Sequence, residues 1–175
     1  MELDLPRLLA VLDRRRVVYV LIGGLAAVYH GSPFPTEDAD ITPKPDKANL
    51  ERLTEALEEL NARVRTEAEP DGLRFAFNAA SLSSIETLYL TTDAGDLDLS
   101  LKPSGTQGYS DLRRDAVKAE LYGVTVQIAS LADVIRSKQA ANRPKDQRVL
   151  PTLREILARD RQPAVRNLSP PGAGA

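Results

Sequence analysis

The sequence has no cysteine and no tryptophan, and it has a single histidine. Without cysteine, the chain can form neither a disulfide framework nor a thiolate metal site, and we expect it in a reducing compartment such as the cytoplasm. No apolar run approaches the roughly 18 residues of a membrane span. The first residues end in a basic run, which is the reverse of the order in a secretory signal. We therefore expect a cytoplasmic protein with no membrane association.

The length predicts one fold. A chain of 175 residues can bury one core, and we expect a single domain at residues 1–160. Within it we expect an N-terminal helix at 1–16, a sheet-containing core at 17–128 and a helical C-terminal part at 130–160. The tail 161–175 ends in NLSPPGAGA, a composition typical of a flexible end.

Charge is distributed unevenly along the chain, although the formal net charge is only −2. Residues 37–71 contain 11 acids and 5 bases, whereas residues 131–166 contain 9 bases and 4 acids. The basic segment is suited to a polyanionic partner such as RNA. Amphipathic helices with solvated faces give the same pattern, and on charge alone this is the simpler interpretation.

Apolar periodicity predicts an α/β fold in which helices flank a mostly antiparallel or mixed sheet. The predicted helices lie at Leu3–Arg15, 50–60, Leu131–Ala141 and Lys145–Ala158. The predicted strands are Val17–Ile22, Asp38–Thr42 and the segments GLRFAFN, SIETLYL and DLDLSL, with a hairpin in LYGVTVQIAS.

Two glycines follow the first predicted strand. Gly23 and Gly24 allow a tight turn into a short helix at 25–30, which Gly31 ends. A Gly pair by itself usually marks only a turn. At the start of a helix, however, a backbone without Cβ atoms can bring its N–H groups close to an anion.

Carboxylates alternate along two of the predicted strands. In an extended segment Asp38 and Asp40 point to one face, and the residues between them point to the other. Asp96 and Asp98 alternate with leucines in the same way, and Asp98 lies deeper in its strand. Acids on one face repel each other unless a cation offsets the repulsion, and three carboxylates suit Mg²⁺. For the first pair alone, a solvated edge strand explains the pattern equally well.

The order of these motifs is more specific than any one of them. A strand, Gly-Gly, a short helix, a Thr-x-Asp-x-Asp strand and a later apolar-Asp-apolar strand together resemble the nucleotidyltransferase fold of the DNA polymerase β type. The likeness is closer to the AbiEii-type toxins, including the MenT branch of bacterial toxin–antitoxin systems, and covers residues 17–157. It is carried by IGGLAAVYHG, TEDADI, GDLDLSL, GYSDL and ASLADVIRSKQAANRPKD.

The resemblance implies a polymerase β-like core and gives roles to the acids and glycines. Asp38, Asp40 and Asp98 are expected to hold Mg²⁺ or Mn²⁺. Asp98 is also expected to accept the proton of the attacking hydroxyl. Gly23 and Gly24 are expected to approach the phosphates of a bound NTP.

A second group of implied site residues comes from the last segment. Lys138 is expected to contact the triphosphate, and Asp146 to belong to the other half of the site. Many relatives have an Arg where this chain has Phe34. Either that phosphate or base contact is missing here, or Arg143 or Lys145 supplies it.

Thr36 and His30 are two further candidates. Thr36 stands two residues before Asp38, so in an extended segment its hydroxyl faces the same cleft. In the MenT branch a Ser or Thr at this place is phosphorylated by the cognate antitoxin, and the resemblance implies the same here. A turn hydrogen bond is the alternative role. His30 is interpreted as a helix cap or packing residue rather than a ligand.

The activity that the resemblance implies is transfer of a nucleoside monophosphate from an NTP to the 3′ end of tRNA, which would block translation. The expected partners are the NTP, tRNA and a cognate antitoxin, with no DNA. Two alternatives remain. One is a nucleotidyltransferase that modifies a small molecule or a protein hydroxyl. The other is an inactive relative that serves as a binding or antitoxin module, against which the complete set of acids, glycines and Lys138 argues.

Overall fold

A computed structural model describes residues 2–161 of the chain. Its helices are α1 (Leu5–Arg14), α2 (Gly23–Tyr29), α3 (Lys47–Glu59), α4 (Ala79–Ser83), α5 (Tyr109–Arg114), α6 (Leu131–Ala141) and α7 (Pro144–Arg161). Its strands are β1 (Tyr19–Ile22), β2 (Asp38–Pro43), β3 (Arg63–Val64), β4 (Leu73–Arg74), β5 (Thr87–Thr92), β6 (Gly95–Ser100), β7 (Val117–Leu121) and β8 (Val124–Ile128).

The strands form one eight-stranded sheet in the order β4-β3-β5-β6-β2-β1-β8-β7. β2 pairs with β6 and β1 pairs with β8 in parallel, and the other pairs are antiparallel. Helix α2 packs against β1 and β2, and α6 packs against both α2 and α7. The α/β class, the mixed sheet and the helical C-terminal part are therefore confirmed.

Local signals explain where the helices begin. The Asp4 carboxylate accepts the Arg7 N–H at the start of α1, and Ser130 accepts the Asp133 N–H at the start of α6. Such caps satisfy N–H groups that have no partner inside the helix. Helix α6 ends at Asn142, whose left-handed backbone stops it, so the predicted bounds of α6 are correct.

A buried hydrophobic cluster packs against β2 and β6 on the face opposite the acids. The apolar residues between the aspartates of β2 and β6 are fully buried, namely Ala39, Ile41, Leu97 and Leu99. They belong to the same cluster as the leucines of α1 and α3. Because side chains alternate along a strand, this burial turns the aspartates to the other face.

One predicted strand was too long, and the short strand β3 and two short helices were not anticipated. Within GLRFAFN only Leu73–Arg74 pairs as a strand, and the Phe75 side chain is 53% exposed. The chain turns away because Asn78 and Ser81 form reciprocal side-chain and backbone hydrogen bonds that begin α4. Helix α5 forms in the segment read only as the motif GYSDL.

The ends of the described region limit two further expectations. From residue 162, the tail expected at 161–175 lies outside the described residues, and the domain limit at 160 stays a prediction. None of the helices in residues 2–161 combines the length and the apolar character that crossing a membrane requires.

Candidate functional site

Four aspartates share one face of the sheet. The parallel register of β2 and β6 sets Asp38 opposite Asp96 and Asp40 opposite Asp98. Residues directly opposite each other on neighbouring strands project to the same face. One carboxylate oxygen each from Asp38, Asp40 and Asp98 lies within 4.8 Å of the other two. The fold thus brings together the three acids that the sequence analysis selected.

The crowding of these acids changes their protonation. Burial and the charge of Asp38 raise the pKa of Asp40 to about 6, although the Gly24 N–H, Lys145 and Lys138 oppose the shift. Burial, followed by the charges of Asp40 and Asp38, raises the pKa of Asp98 to about 7. Both shifts have the sign expected when carboxylates are desolvated side by side without enough positive charge.

The two glycines let the start of α2 approach this cluster closely. Gly23 has φ +64°, and a Cβ atom there would collide with the Asp40 carboxylate. A Cβ atom on Gly24 would lie 2.5 Å from Thr36 Oγ1. Helix α2 begins at Gly23 itself. Any side chain at either position would therefore push the acidic strand or its approach segment away from the helix.

Thr36 lies at the edge of the same cluster. Its hydroxyl donates a hydrogen bond to Asp38 Oδ1 at 2.8 Å, and its side chain is half-buried against Gly24. The hydroxyl thus shares an oxygen-rich environment with the acids. His30 lies at the other end of α2, where Nε2 is 2.8 Å from the Ala129 carbonyl oxygen, a contact that joins α2 to the segment before α6.

Basic residues on α6, on α7 and in the turn between them form the opposite wall. Asp146 is fully buried and receives Lys138 Nζ at 3.4 Å and Arg143 Nε at 2.7 Å. Burial acts to raise the pKa of Asp146, but the hydrogen bond and charge of Arg143 and the charge of Lys138 outweigh it, and the pKa lies below its ordinary value. Asp146 therefore stays charged and fixes the two basic side chains.

A single cleft joins the two walls, with a volume of about 750 Å³. It is lined by nine of the ten residues assigned to the site from the sequence, Gly23, Gly24, Thr36, Asp38, Asp40, Asp98, Lys138, Arg143 and Lys145. Asp146 is buried behind the basic wall rather than on the cleft surface. Phe34, which stands where relatives have an Arg, also lines the cleft and is 40% exposed.

Several cleft residues were missed from the sequence, and two of them lie next to Asp98. Arg65 follows β3, and its guanidinium lies 3.1 Å from Asp98 Oδ1 and 3.4 Å from Asp96 Oδ2. Tyr89 on β5 is the direct cross-strand neighbour of Asp98. No local motif marks either residue, because only the pairing of β3, β5 and β6 brings them beside the acids.

No family model matches the chain, and no curated protein sequence does either. Solved structures do match. The lincosamide antibiotic adenylyltransferase LnuA, with lincomycin bound, has a TM-score of 0.57 at 15% identity, over 87% of this chain and 96% of that chain. The antibiotic-resistance factor ANT(2″)-Ia has a TM-score of 0.52 at 17% identity, over 89% and 88% of the two chains.

TM1012 of Thermotoga maritima, described as a nucleotidyltransferase, matches with a TM-score of 0.51 at 19% identity, over 89% of this chain and 91% of that chain. The chain has the polymerase β-like nucleotidyltransferase fold. In this fold the described cleft lies on the open face of the sheet, between the acids of β2 and β6 and the basic residues of α6 and α7. Membership of the AbiEii-type toxins stays a prediction.

Proposed function

We propose that this protein transfers a nucleoside monophosphate from an NTP to an acceptor hydroxyl and releases pyrophosphate. The observation that supports this most is the convergence, in one cleft, of three crowded carboxylates with a glycine-lined helix start and a basic wall. Oxygen ligands, a close backbone and cations are what a metal-bound triphosphate requires.

The three acids suit Mg²⁺ or Mn²⁺. All ligand atoms are carboxylate oxygens, which hard divalent cations prefer. Arg65 forms an ion pair with Asp98. Within residues 2–161, no basic side chain forms an ion pair with Asp38 or Asp40. When bound, the metal neutralises charge that develops on the phosphate oxygens. The pKa values of Asp40 and Asp98 are raised because nearby positive charge does not balance their burial and mutual repulsion. A bound cation would supply that charge.

The residues around the acids would hold the triphosphate. Gly23 and Gly24 lack the Cβ atoms that would collide with Asp40 and Thr36, so phosphates could approach the backbone at the start of α2, where the Gly24 N–H is bonded to Asp40. Lys138, Arg143 and Lys145 face them from the other wall. Asp146 acts as a positioning residue, since its buried carboxylate fixes Lys138 and Arg143.

Asp98 would accept the proton in the chemical step. The acceptor O–H gives its proton to the Asp98 carboxylate, its oxygen forms a bond to the α-phosphorus, and the bond from that phosphorus to the bridging oxygen breaks. The electron pair leaves with pyrophosphate. Burial and the neighbouring acids raise the pKa of Asp98 to about 7 without a metal, and a bound cation would lower it. The role of Asp98 as base therefore rests on the resemblance to polymerase β-like sites and not on this pKa.

The favoured acceptor is the 3′ end of tRNA, so that the protein would stop translation as a toxin controlled by an antitoxin. Two observations support this choice. The motifs resemble the AbiEii-type toxins, and α7 exposes Lys145, which lines the cleft, with Arg148 and Arg154 further along the helix. Exposed bases attract RNA through its phosphates.

Thr36 would be the regulatory position. Its hydroxyl already contacts Asp38, so a phosphate on Thr36 would bring about −1.5 to −2 charges to the acids. We place the phosphorylation site here as part of the toxin proposal. The phosphate would compete with the nucleotide for the cleft and the metal.

A small-molecule hydroxyl is the second candidate acceptor. The fold likeness to LnuA, an adenylyltransferase of lincosamide antibiotics, spans nearly all of that protein. This likeness supports a small-molecule acceptor as the second candidate.

The test supplies each of the four α-phosphate-labelled NTPs in turn, with Mg²⁺ and either total tRNA or lincomycin. The toxin proposal predicts label in tRNA with one preferred NTP. Label in lincomycin would replace it with the second candidate. Periodate-oxidised tRNA, which lacks the terminal diol, should take up no label. Asp71→Ala, which removes an exposed acid outside the cleft, is the matched control for Asp38→Ala.

A further inference from the structure

Tyr89 belongs to a row of residues that crosses the sheet beside the acids. Asp40 is paired with Asp98, and Asp98 with Tyr89, on successive strands. The Arg65 N–H donates to the Tyr89 carbonyl oxygen at 2.8 Å, so Arg65 continues the row. Directly paired residues share a face. The Tyr89 side chain therefore projects from the same face of the sheet as the two acids.

The ring of Tyr89 is not part of the hydrophobic core. Leu90, the next residue, is fully buried on the other face, whereas Tyr89 is 49% exposed and lines the cleft. Burial therefore does not explain a large aromatic side chain at this position. An exposed ring inside a concave site is typical of a residue that contacts a ligand.

Two hydroxyls lie next to the ring. Thr87 is two residues before Tyr89, and it is paired with Ser100, which is two residues after Asp98. All four side chains share one face, and all four line the cleft. The surface beside Asp98 thus offers an aromatic ring and two groups that can both donate and accept hydrogen bonds.

The sheet order separates this surface from Asp38 and Asp40, although Arg143 of the basic wall is close enough to Tyr89 to interact with it. β6 lies between β2 and β5, so Asp98 has the metal-binding acids of β2 on one side and Tyr89 on the other. In-line displacement requires the acceptor oxygen and the leaving pyrophosphate on opposite sides of the α-phosphorus. With the phosphates directed to α2 and Lys138, the acceptor would enter over β5.

We infer that Tyr89, Thr87 and Ser100 form the acceptor subsite, and that this subsite binds a sugar ring whose hydroxyl points at Asp98. The ring of Tyr89 packs on the C–H face of the sugar, and the two hydroxyls contact its polar edge. A terminal ribose of RNA and the sugar of a small glycoside both present this chemistry. The inference rests on the proposed function, because it takes Asp98 as the base.

The subsite can be tested by binding alone, because the chain has no tryptophan. Tyr89→Trp places one fluorescent ring at the site, and its emission is titrated with deacylated total tRNA and, separately, with lincomycin. We expect a saturable change with one of the two probes. The control is Tyr122→Trp, at an exposed ring in the turn between β7 and β8, and its emission should not change. An unchanged Tyr89→Trp signal with both probes, or an equal change in the control, would overturn the subsite.

Kinetics of label transfer provide the second test. Tyr89→Ala should raise the acceptor KM by roughly 5- to 100-fold, as expected when the apolar contact of one aromatic ring is lost, with an unchanged KM for the NTP. Tyr89→Phe keeps the ring and should restore the acceptor KM. An unchanged acceptor KM in Tyr89→Ala, in an enzyme that transfers label, overturns the subsite alone. Absence of transfer by wild type overturns the proposed function, while the emission titration still decides whether a sugar binds.

Discussion

Asp40 lies directly opposite Asp98 on the parallel strands β2 and β6, and its charge contributes to raising the pKa of Asp98 to about 7. The pairing brings two carboxylates from distant parts of the chain to one point on the sheet. Neither acid contributes to the hydrophobic core, because the apolar residues that alternate with the aspartates on β2 and β6 fill it. The register therefore gives stability to the core on one face and a concentrated negative charge to the cleft on the other.

The first prediction concerns the pH dependence of stability without metal. The pKa values of Asp40 and Asp98, about 6 and about 7, lie above the ordinary value of 3.8. Between about pH 4 and pH 7 the folded chain holds more protons on these two carboxyls than the unfolded chain does. The free energy of unfolding therefore decreases as pH rises through this range. The contribution of the two carboxyls is full below the ordinary pKa and is lost as pH passes through about 6 and then about 7.

Denaturant unfolding in EDTA across this pH range measures the effect. Asp40→Asn with Asp98→Asn removes both titrations, so the difference in unfolding free energy between wild type and this double variant should fall with rising pH. Excess Mg²⁺ at the alkaline end should raise the stability of wild type, by about 2.7 kcal/mol at 100 times its Kd, and should not stabilise the double variant. A difference that increases with pH would contradict the described electrostatics.

The second prediction concerns the buried Asp146. Asp146→Asn removes the charge that fixes Lys138 and Arg143, so the KM for the NTP should rise at least roughly 10-fold, with a smaller effect on the acceptor KM. The free energy of unfolding should fall by about 1.5–3 kcal/mol, as expected for charge-assisted hydrogen bonds. Asp160→Asn, at an exposed acid of the same helix, is the control. An NTP KM equal to that of the control would exclude the positioning role.

The third prediction concerns salt. If the exposed bases of α7 contact RNA phosphates, log K for tRNA should fall by roughly 0.7 to 0.9 per contact for each unit of log salt. Filter binding or anisotropy over a range of KCl concentrations measures the slope. Arg148→Ala should reduce the slope by about one contact. A flat response, with no effect of Arg148→Ala, would favour the small-molecule acceptor.

The fourth prediction concerns Thr36, whose hydroxyl contacts Asp38. Thr36→Glu should strongly reduce transfer, although one carboxylate copies a phosphate only in part. Thr36→Val keeps the size and removes the acceptor hydroxyl, so under the toxin proposal it should resist inhibition by a cognate phosphorylating antitoxin. Intact mass and transfer rate are compared for both proteins after treatment with that antitoxin and ATP. Equal inhibition, or phosphate mapped to another residue, would remove Thr36 from the regulatory role.

Residues with short-range signals were predictable from the sequence. The apolar spacing predicted the helix Leu131–Ala141, and both of its bounds are correct. The alternation of side chains along a strand predicted that Asp38 and Asp40 share a face, and the register of β2 and β6 adds Asp98 to that face. The segment GLRFAFN has the same alternation but pairs over only two residues, because the cap at Asn78 starts a helix. The Asn-x-x-Ser spacing of that cap was the available signal for α4.

Residues that reach the site through sheet order could not be predicted in this way. Arg65 and Tyr89 come next to Asp98 only because β5 lies between β3 and β6. Nothing in their local sequence specifies that order. Asp146 was expected in the site, but its complete burial behind Lys138 and Arg143 depends on how α7 packs on α6, which the helical pattern alone does not give.

The central claim is that the protein transfers a nucleotide from an NTP and that the three acids are required for this transfer. It is tested most directly by α-phosphate label transfer with Mg²⁺ in the presence of total tRNA and lincomycin. We expect label in one acceptor, and we expect Asp38→Ala or Asp40→Ala to lower the rate by at least roughly 100-fold, because several kcal/mol of charge stabilisation are lost. Both variants should keep the circular dichroism spectrum of wild type, since these acids repel one another when no metal is bound. Near wild-type transfer by either variant, with that spectrum unchanged, would contradict the claim.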